Sequence, residues 1–126
     1  MTYAVDLPDM PPGHTPNSRD HWAHRHRAVA EWRDAAAWTV RAAGVPAMDR
    51  VAVELVVTPP DRRRRDADSA MWVLKAAIDG MCDAGVLADD DRTRVPHVAV
   101  RWLDPDGSRR WRWRLEIRDV SREGAA

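Results

Sequence analysis

Residues 51–57 read VAVELVV and run into Thr58, Pro59 and Pro60. Valine is crowded in a helix and comfortable on a pleated strand. A period of two places Val51, Val53, Leu55 and Val57 on one face of such a strand. The two prolines, which have no N–H to give a ladder, end it. A strand with one wholly apolar face must be covered, so the rest of the chain has to supply a sheet around it and a cover.

The neighbours are visible by the same period. TYAVDLP alternates Tyr3, Val5 and Leu7. HVAVRWL at 97–103 and WRWRLEIRDV at 111–120 read as strands joined by DPDGSRR, in which Asp104-Pro105-Asp106-Gly107 is a turn signal. In the last strand Trp111, Trp113, Leu115 and Ile117 share a face, with arginine and glutamate on the other. That charged face is either solvated, as on half-open antiparallel sheets, or turned toward DNA.

The cover comes from two helices. From about 19 to 43, Trp22, Val29, Trp32, Ala36, Val40 and Ala43 recur at helical spacing. Asn17 or Ser18 can cap this helix, and Gly44 with Pro46 can stop it. The proline-rich stretch DMPPGHTPNS before it reads as a loop. A second helix spans 70 to about 84 and is closed by Gly85. The order strand, helix, strand, helix, strand, strand predicts an α/β (α+β) fold: one mixed sheet with two helices on one face. At 126 residues the chain is expected to form a single domain, 1–126.

Charge and cysteine usage exclude several classes. With 20 basic and 20 acidic residues the chain is not a simple polycation. No apolar run approaches the roughly 18–20 residues of a membrane span, and no basic-then-apolar leader opens the sequence. The one cysteine, Cys82, cannot form an intramolecular disulfide, fits a reducing cytoplasm, and sits among apolar residues as a small core side chain. His21, His24 and His26 lack a third ligand at zinc-like spacing and read as surface or phosphate-facing residues.

The chemistry concentrates in RRRRDADSAMWVLKAAIDG, residues 62–80. Asp68 is placed to cap the second helix. Lys75, the only lysine in the chain, and Asp79 then return to the same helical face. Met71, Leu74, Ile78, Met81 and Cys82 form an apolar stripe beside it. A Lys75–Asp79 pair is also what any amphipathic helix can carry. After the helix come Asp89, Asp90 and Asp91, which alone read as a solvated acidic loop. Carboxylates brought together from the two segments would repel unless protonated or bridged by a cation. Oxygen-only donors select a hard metal such as Mg²⁺ or Mn²⁺, and neighbouring arginines suit phosphate oxygens.

Taken in order, these segments resemble the RusA family of Holliday junction resolvases, commonly carried by phages and prophages. PPGHTPNSRDHW is similar to the family's N-terminal proline-asparagine loop. VAVELVVTPPDRRRRDAD is similar to its strand, arginine-rich stretch and D-x-D pair. LKAAIDGMCDAGVLADDD is similar to its K-x-x-x-D helix, A-G-V and acidic close. The resemblance implies Asp66, Asp68 and Asp90 as catalytic metal ligands, with Asp89 or Asp91 as neighbours able to replace Asp90. It implies Lys75 as the catalytic cation and Asp79 as a supporting residue. Ser69 stands where the family has asparagine, and the spacing from D-x-D to lysine is longer by about one helical turn.

The function so implied is a Mg²⁺-dependent endodeoxyribonuclease, Mn²⁺ substituting, that acts as a homodimer and resolves four-way DNA junctions by paired symmetric nicks. Arg62, Arg63, Arg64 and Arg65 would hold flanking phosphates. Two other readings stay open: a nuclease of the same fold acting on flaps or other branched DNA, and a junction-binding protein without catalysis. A protein whose acidic loops are merely solvated is the plainest alternative.

Overall fold

A computed structural model describes residues 1–9 and 22–123, and for 22–24 the backbone alone. It contains β1 (Thr2–Leu7), α1 (Trp22–Ala42), β2 (Val51–Thr58), α2 (Met71–Asp83), β3 (His97–Trp102) and β4 (Arg112–Asp119). The loop before α1, its caps Asn17 or Ser18, and His21 lie outside the described residues.

The four strands form one mixed sheet in the order β1-β4-β2-β3. β4 runs antiparallel to both β1 and β2, whereas β2 and β3 are parallel. The fold is therefore α+β with the expected element order, but the last two strands are not neighbours. The 103–111 connection does contain its local turn, with Gly107 at φ 87° and Asp106 Oδ1 accepting the Ser108 N–H. It carries the chain across the end of β2 to the other side.

Register explains why 51–57 is so apolar. Leu55 lies between Leu115 and Val100, and Leu115 faces Val5 across the β1 pairing. Val51, Val53, Leu55 and Val57 are fully buried in a core shared with Trp32, Val40, Val73, Leu74 and Met81 of the helices. The opposite face carries Asp6, Arg114, Val56 and Arg101 across one row and Ala4, Glu116, Glu54 and Ala99 across the next. There the arginines of β4 are exposed and ion-paired: Arg112 with Asp106 at 2.9 Å and Arg114 with Asp6 at 3.3 Å. Arg101 ties the facing Glu54 and Glu116 together, which offsets the repulsion of two like charges placed opposite one another.

The helices lie against each other at Gly80. A side chain there would meet the Arg33 carbonyl and the Ala37 nitrogen of α1. Arg33 closes the contact with two hydrogen bonds to Asp83, 2.6 and 2.7 Å long. α2 ends in a Schellman motif, in which Val86 donates to Met81 O and Gly85, at φ 82°, donates to Cys82 O.

Candidate functional site

α2 begins later than the sequence suggests. Its N-cap is Ala70, without a side-chain cap bond. Asp68 is therefore not the cap. Its backbone carbonyl accepts the Met71 N–H at 3.1 Å, and the Asp66 carbonyl accepts the Ser69 N–H at 3.1 Å. These successive turns satisfy the entry to α2 through the backbone, so both carboxylates are left exposed on the loop. The Ser69 hydroxyl is buried without a hydrogen-bond partner, so it supplies neither a cap nor a local bond. Nor does Met71 join the buried stripe; it is 41% exposed.

The loop that carries these residues is fastened from below. Trp102 Nε1 donates to the Ala67 carbonyl at 3.0 Å. Arg65 does not point outward with its neighbours: its side chain is 11% exposed and pairs with Asp61 at 2.8 Å. It also donates to the Asp61 and Arg63 carbonyls and lies 4.8 Å over the Trp111 ring. That planar fork, satisfied on several sides, is a role lysine could not fill. Arg62, Arg63 and Arg64 remain exposed.

On α2, Lys75 Nζ donates to Asp79 Oδ1 at 2.8 Å, one turn along the helix, and to Asp90 Oδ2 from the loop beyond it. The two carboxylates hold the ammonium charged and raise its pKa. In return the Lys75 hydrogen bond, with Asp79 and Asp89 adding to it, keeps the Asp90 carboxyl below the usual range. Cys82 lies in the field of this group. Burial first, then the charges of Asp90, Asp79 and Asp89, push its thiol up to about 11, which makes it inert rather than nucleophilic.

The aspartates at 89–91 divide their tasks. Asp90 reaches Lys75. Asp89 Oδ1 turns back to accept the Asp90 N–H at 2.7 Å. Asp91 Oδ1 accepts the backbone N–H of Thr93 and of Arg94 at 2.8 and 3.1 Å, a turn-forming role.

The structure thus brings together Lys75, Asp79 and Asp90. Asp66 and Asp68 stay on the neighbouring loop. Among the described residues, no group of three or more histidine, cysteine, aspartate or glutamate side chains is gathered to hold a metal ion. Asp79 pairs with the lysine one turn away, as the i,i+4 spacing suggests. Asp61, Trp102 and Trp111, which shape the loop, went unread.

No helix among the described residues is long and apolar enough to cross a membrane. No protein-family model matches the chain. It is 35% identical over 91 residues to an uncharacterized protein of Xylella fastidiosa (strain Temecula1), a match that takes in 68% of this chain. The chain is thereby similar to 58% of that relative's length.

Proposed function

We propose that this chain is a metal-dependent endonuclease of branched DNA, with the four-way junction as its substrate. The observation that carries the reading is the Lys75 ammonium held between Asp79 and Asp90, beside a fastened loop that presents Asp66, Asp68 and three outward arginines. A fixed cation and ionised carboxylates from separate segments suit phosphodiester cleavage, where charge builds on the phosphate and leaving oxygens.

The donors at the site are carboxylate oxygens, which fit Mg²⁺ or Mn²⁺ and not a soft metal. Asp66, Asp68 and Asp90 would hold the ion, with Asp89 adjacent. Bound there, it would polarise the scissile phosphate and lower the pKa of a water. Lys75 keeps Asp90 ionised and oriented, and its own charge counters that of the phosphate. Arg62, Arg63 and Arg64 bind flanking phosphates, so affinity falls with salt, each phosphate contact adding about 0.9 to the slope. Two symmetric nicks need two sites, so a homodimer belongs to this reading, as does a cytoplasmic setting for a protein with one free thiol.

One observation favours a second reading: the three proposed ligands are not gathered around one point. That is what a junction-binding protein without catalysis would show. Purified protein with Mg²⁺ and a panel of synthetic junctions, flaps and bulges separates the two. The nuclease reading expects paired nicks in the junction, lost by at least about 100-fold in Asp68→Asn and Asp90→Asn, with junction binding retained. Binding without nicking on every substrate, with Mg²⁺ or Mn²⁺, would leave only the second reading.

A further inference from the structure

β2 and β3 are parallel, so the loops that follow them leave from the same end of the sheet. In open sheets the crevice beyond the carboxyl ends of parallel strands is where ligands lodge. Here the two loops flank an open groove of about 360 Å³, at the small end of the range for small-ligand sites. Its apolar surface comes from Pro59, Trp102, Leu103 and Pro105, and Arg62 and Arg63 line it together with the carboxylates of Asp61 and Asp104.

Two features bear on what this groove could hold. Leu103 is 42% exposed, although it adjoins the buried end of the sheet. The two arginines are also loosely held. Arg62 lies 3.6 Å from Asp104, with both side chains more than three-quarters exposed, and Arg63 lies 3.5 Å from Asp61. Arg33, by contrast, holds Asp83 at 2.6 Å, although Arg94 is as far from Asp49, at 3.6 Å. Asp61 is already occupied by the Arg63 backbone N–H and by Arg65. The guanidinium groups of Arg62 and Arg63 therefore keep donors for another anion.

We infer that this groove takes one unpaired nucleotide, its base against Trp102 and Leu103 and its phosphate on Arg62 and Arg63. The inference rests on the branched-DNA reading and adds to it a recognition element. An apolar wall with an aromatic ring and arginines beside it matches how single-stranded nucleotides are held. A paired base, stacked on both faces inside a duplex, cannot enter without being extruded. The groove adjoins the catalytic loop directly, since Ala67 lines it and accepts the Trp102 indole N–H. An occupant there would therefore touch the segment between Asp66 and Asp68.

The test compares a duplex carrying a single-nucleotide bulge with the same duplex fully paired, by fluorescence anisotropy without metal. The wild-type protein should bind the bulged duplex about tenfold more tightly, the worth of one stacked base, and the Trp102 indole N–H resonance should shift only with the bulge. Leu103→Ser, at an exposed position the fold tolerates, should erase the preference and leave affinity for paired duplex within about twofold. Arg62→Ala should weaken both. Equal affinity of the wild type for the two duplexes, or a preference retained in Leu103→Ser, overturns the inference even if junctions are nicked. A bulge preference in a protein that nicks nothing overturns the nuclease reading and leaves the groove standing. Failure to bind any DNA overturns both.

Discussion

Replacing Gly80 with alanine sets two local effects against each other. In a helix interior alanine is favoured over glycine by about 1 kcal/mol, so propensity alone predicts a stabilised protein. At this position the added methyl would lie 2.6 Å from the Arg33 carbonyl oxygen, 2.9 Å from the Ala37 nitrogen and 3.0 Å from the Ala36 methyl. Two of those atoms are backbone and cannot rotate away, so α1 and α2 must separate. Overpacking of that kind costs typically about 1–3 kcal/mol. Three tight contacts place Gly80→Ala near the top of the range, and the propensity gain leaves a net loss of about 2 kcal/mol. For a domain of this size that is a fall in Tm of about 6–10 °C. Urea titration followed by circular dichroism should show a lower midpoint and an unchanged slope. An unchanged or raised Tm would refute the claim that α1 and α2 touch at Gly80.

Lys75→Met should abolish any junction nicking and lower stability at neutral pH by at most about 1 kcal/mol, because the ion pairs it removes are partly exposed. Asp90 has a depressed folded pKa, so its contribution is present above its ordinary value of 3.8 and is lost as pH falls through the folded value. Lys75 has a raised one, so its contribution is complete below 10.5 and is lost above it. Urea midpoints of the variant and the wild type should therefore differ most between those limits and the gap should narrow as pH falls below 3.8 or rises above 10.5; a gap that does not depend on pH contradicts the pairing. Cys82, with its thiol pushed to about 11, should be about one part in a thousand thiolate at pH 8. Its alkylation by iodoacetamide should be far slower than that of free cysteine and should accelerate only in strong alkali. A rate at pH 8 like that of the free amino acid would remove the barrier assigned to burial.

Periodicity carried most of the fold into view. Alternation at 51–57 and 111–120 and helical recurrence in the two helices are local patterns, and each appears as the expected type of element, with the start of the first helix bordering residues outside those described. Strand order is not local. Nothing in DPDGSRR says that β2 will lie between the strands it connects; that follows from which apolar faces must share one core. The start of α2 escaped for a related reason. Asp68 is a good cap by residue preference, yet Trp102 and Arg65 hold the preceding loop in turns that leave the capping position to Ala70.

The candidate site was legible to the same extent. Lys75 and Asp79 are neighbours by helix geometry alone, whereas the arrival of Asp90 depends on how the 84–96 connection packs back along α2. Arg65 was the least legible residue. In a run of four arginines one side chain turns inward, and what selects it is the position of Trp111, forty-six residues further on and brought close only by the sheet.

The tryptophans near that loop also confer an optical property. Trp32 and Trp113 have ring centroids 5.6 Å apart, Trp113 and Trp111 are stacked at 5.3 Å, and Trp111 and Trp102 are separated by 6.3 Å. Rings so close share excitation, so light absorbed by Trp32 deep between α1 and the sheet can be emitted at Trp102 or Trp111. Those two indoles touch the Ala67 carbonyl and the Arg65 guanidinium. The share of the near-ultraviolet dichroism that comes from this cluster therefore reports on the segment that bears Asp66 and Asp68, alongside the separate signals of Trp22, Trp38 and Trp72.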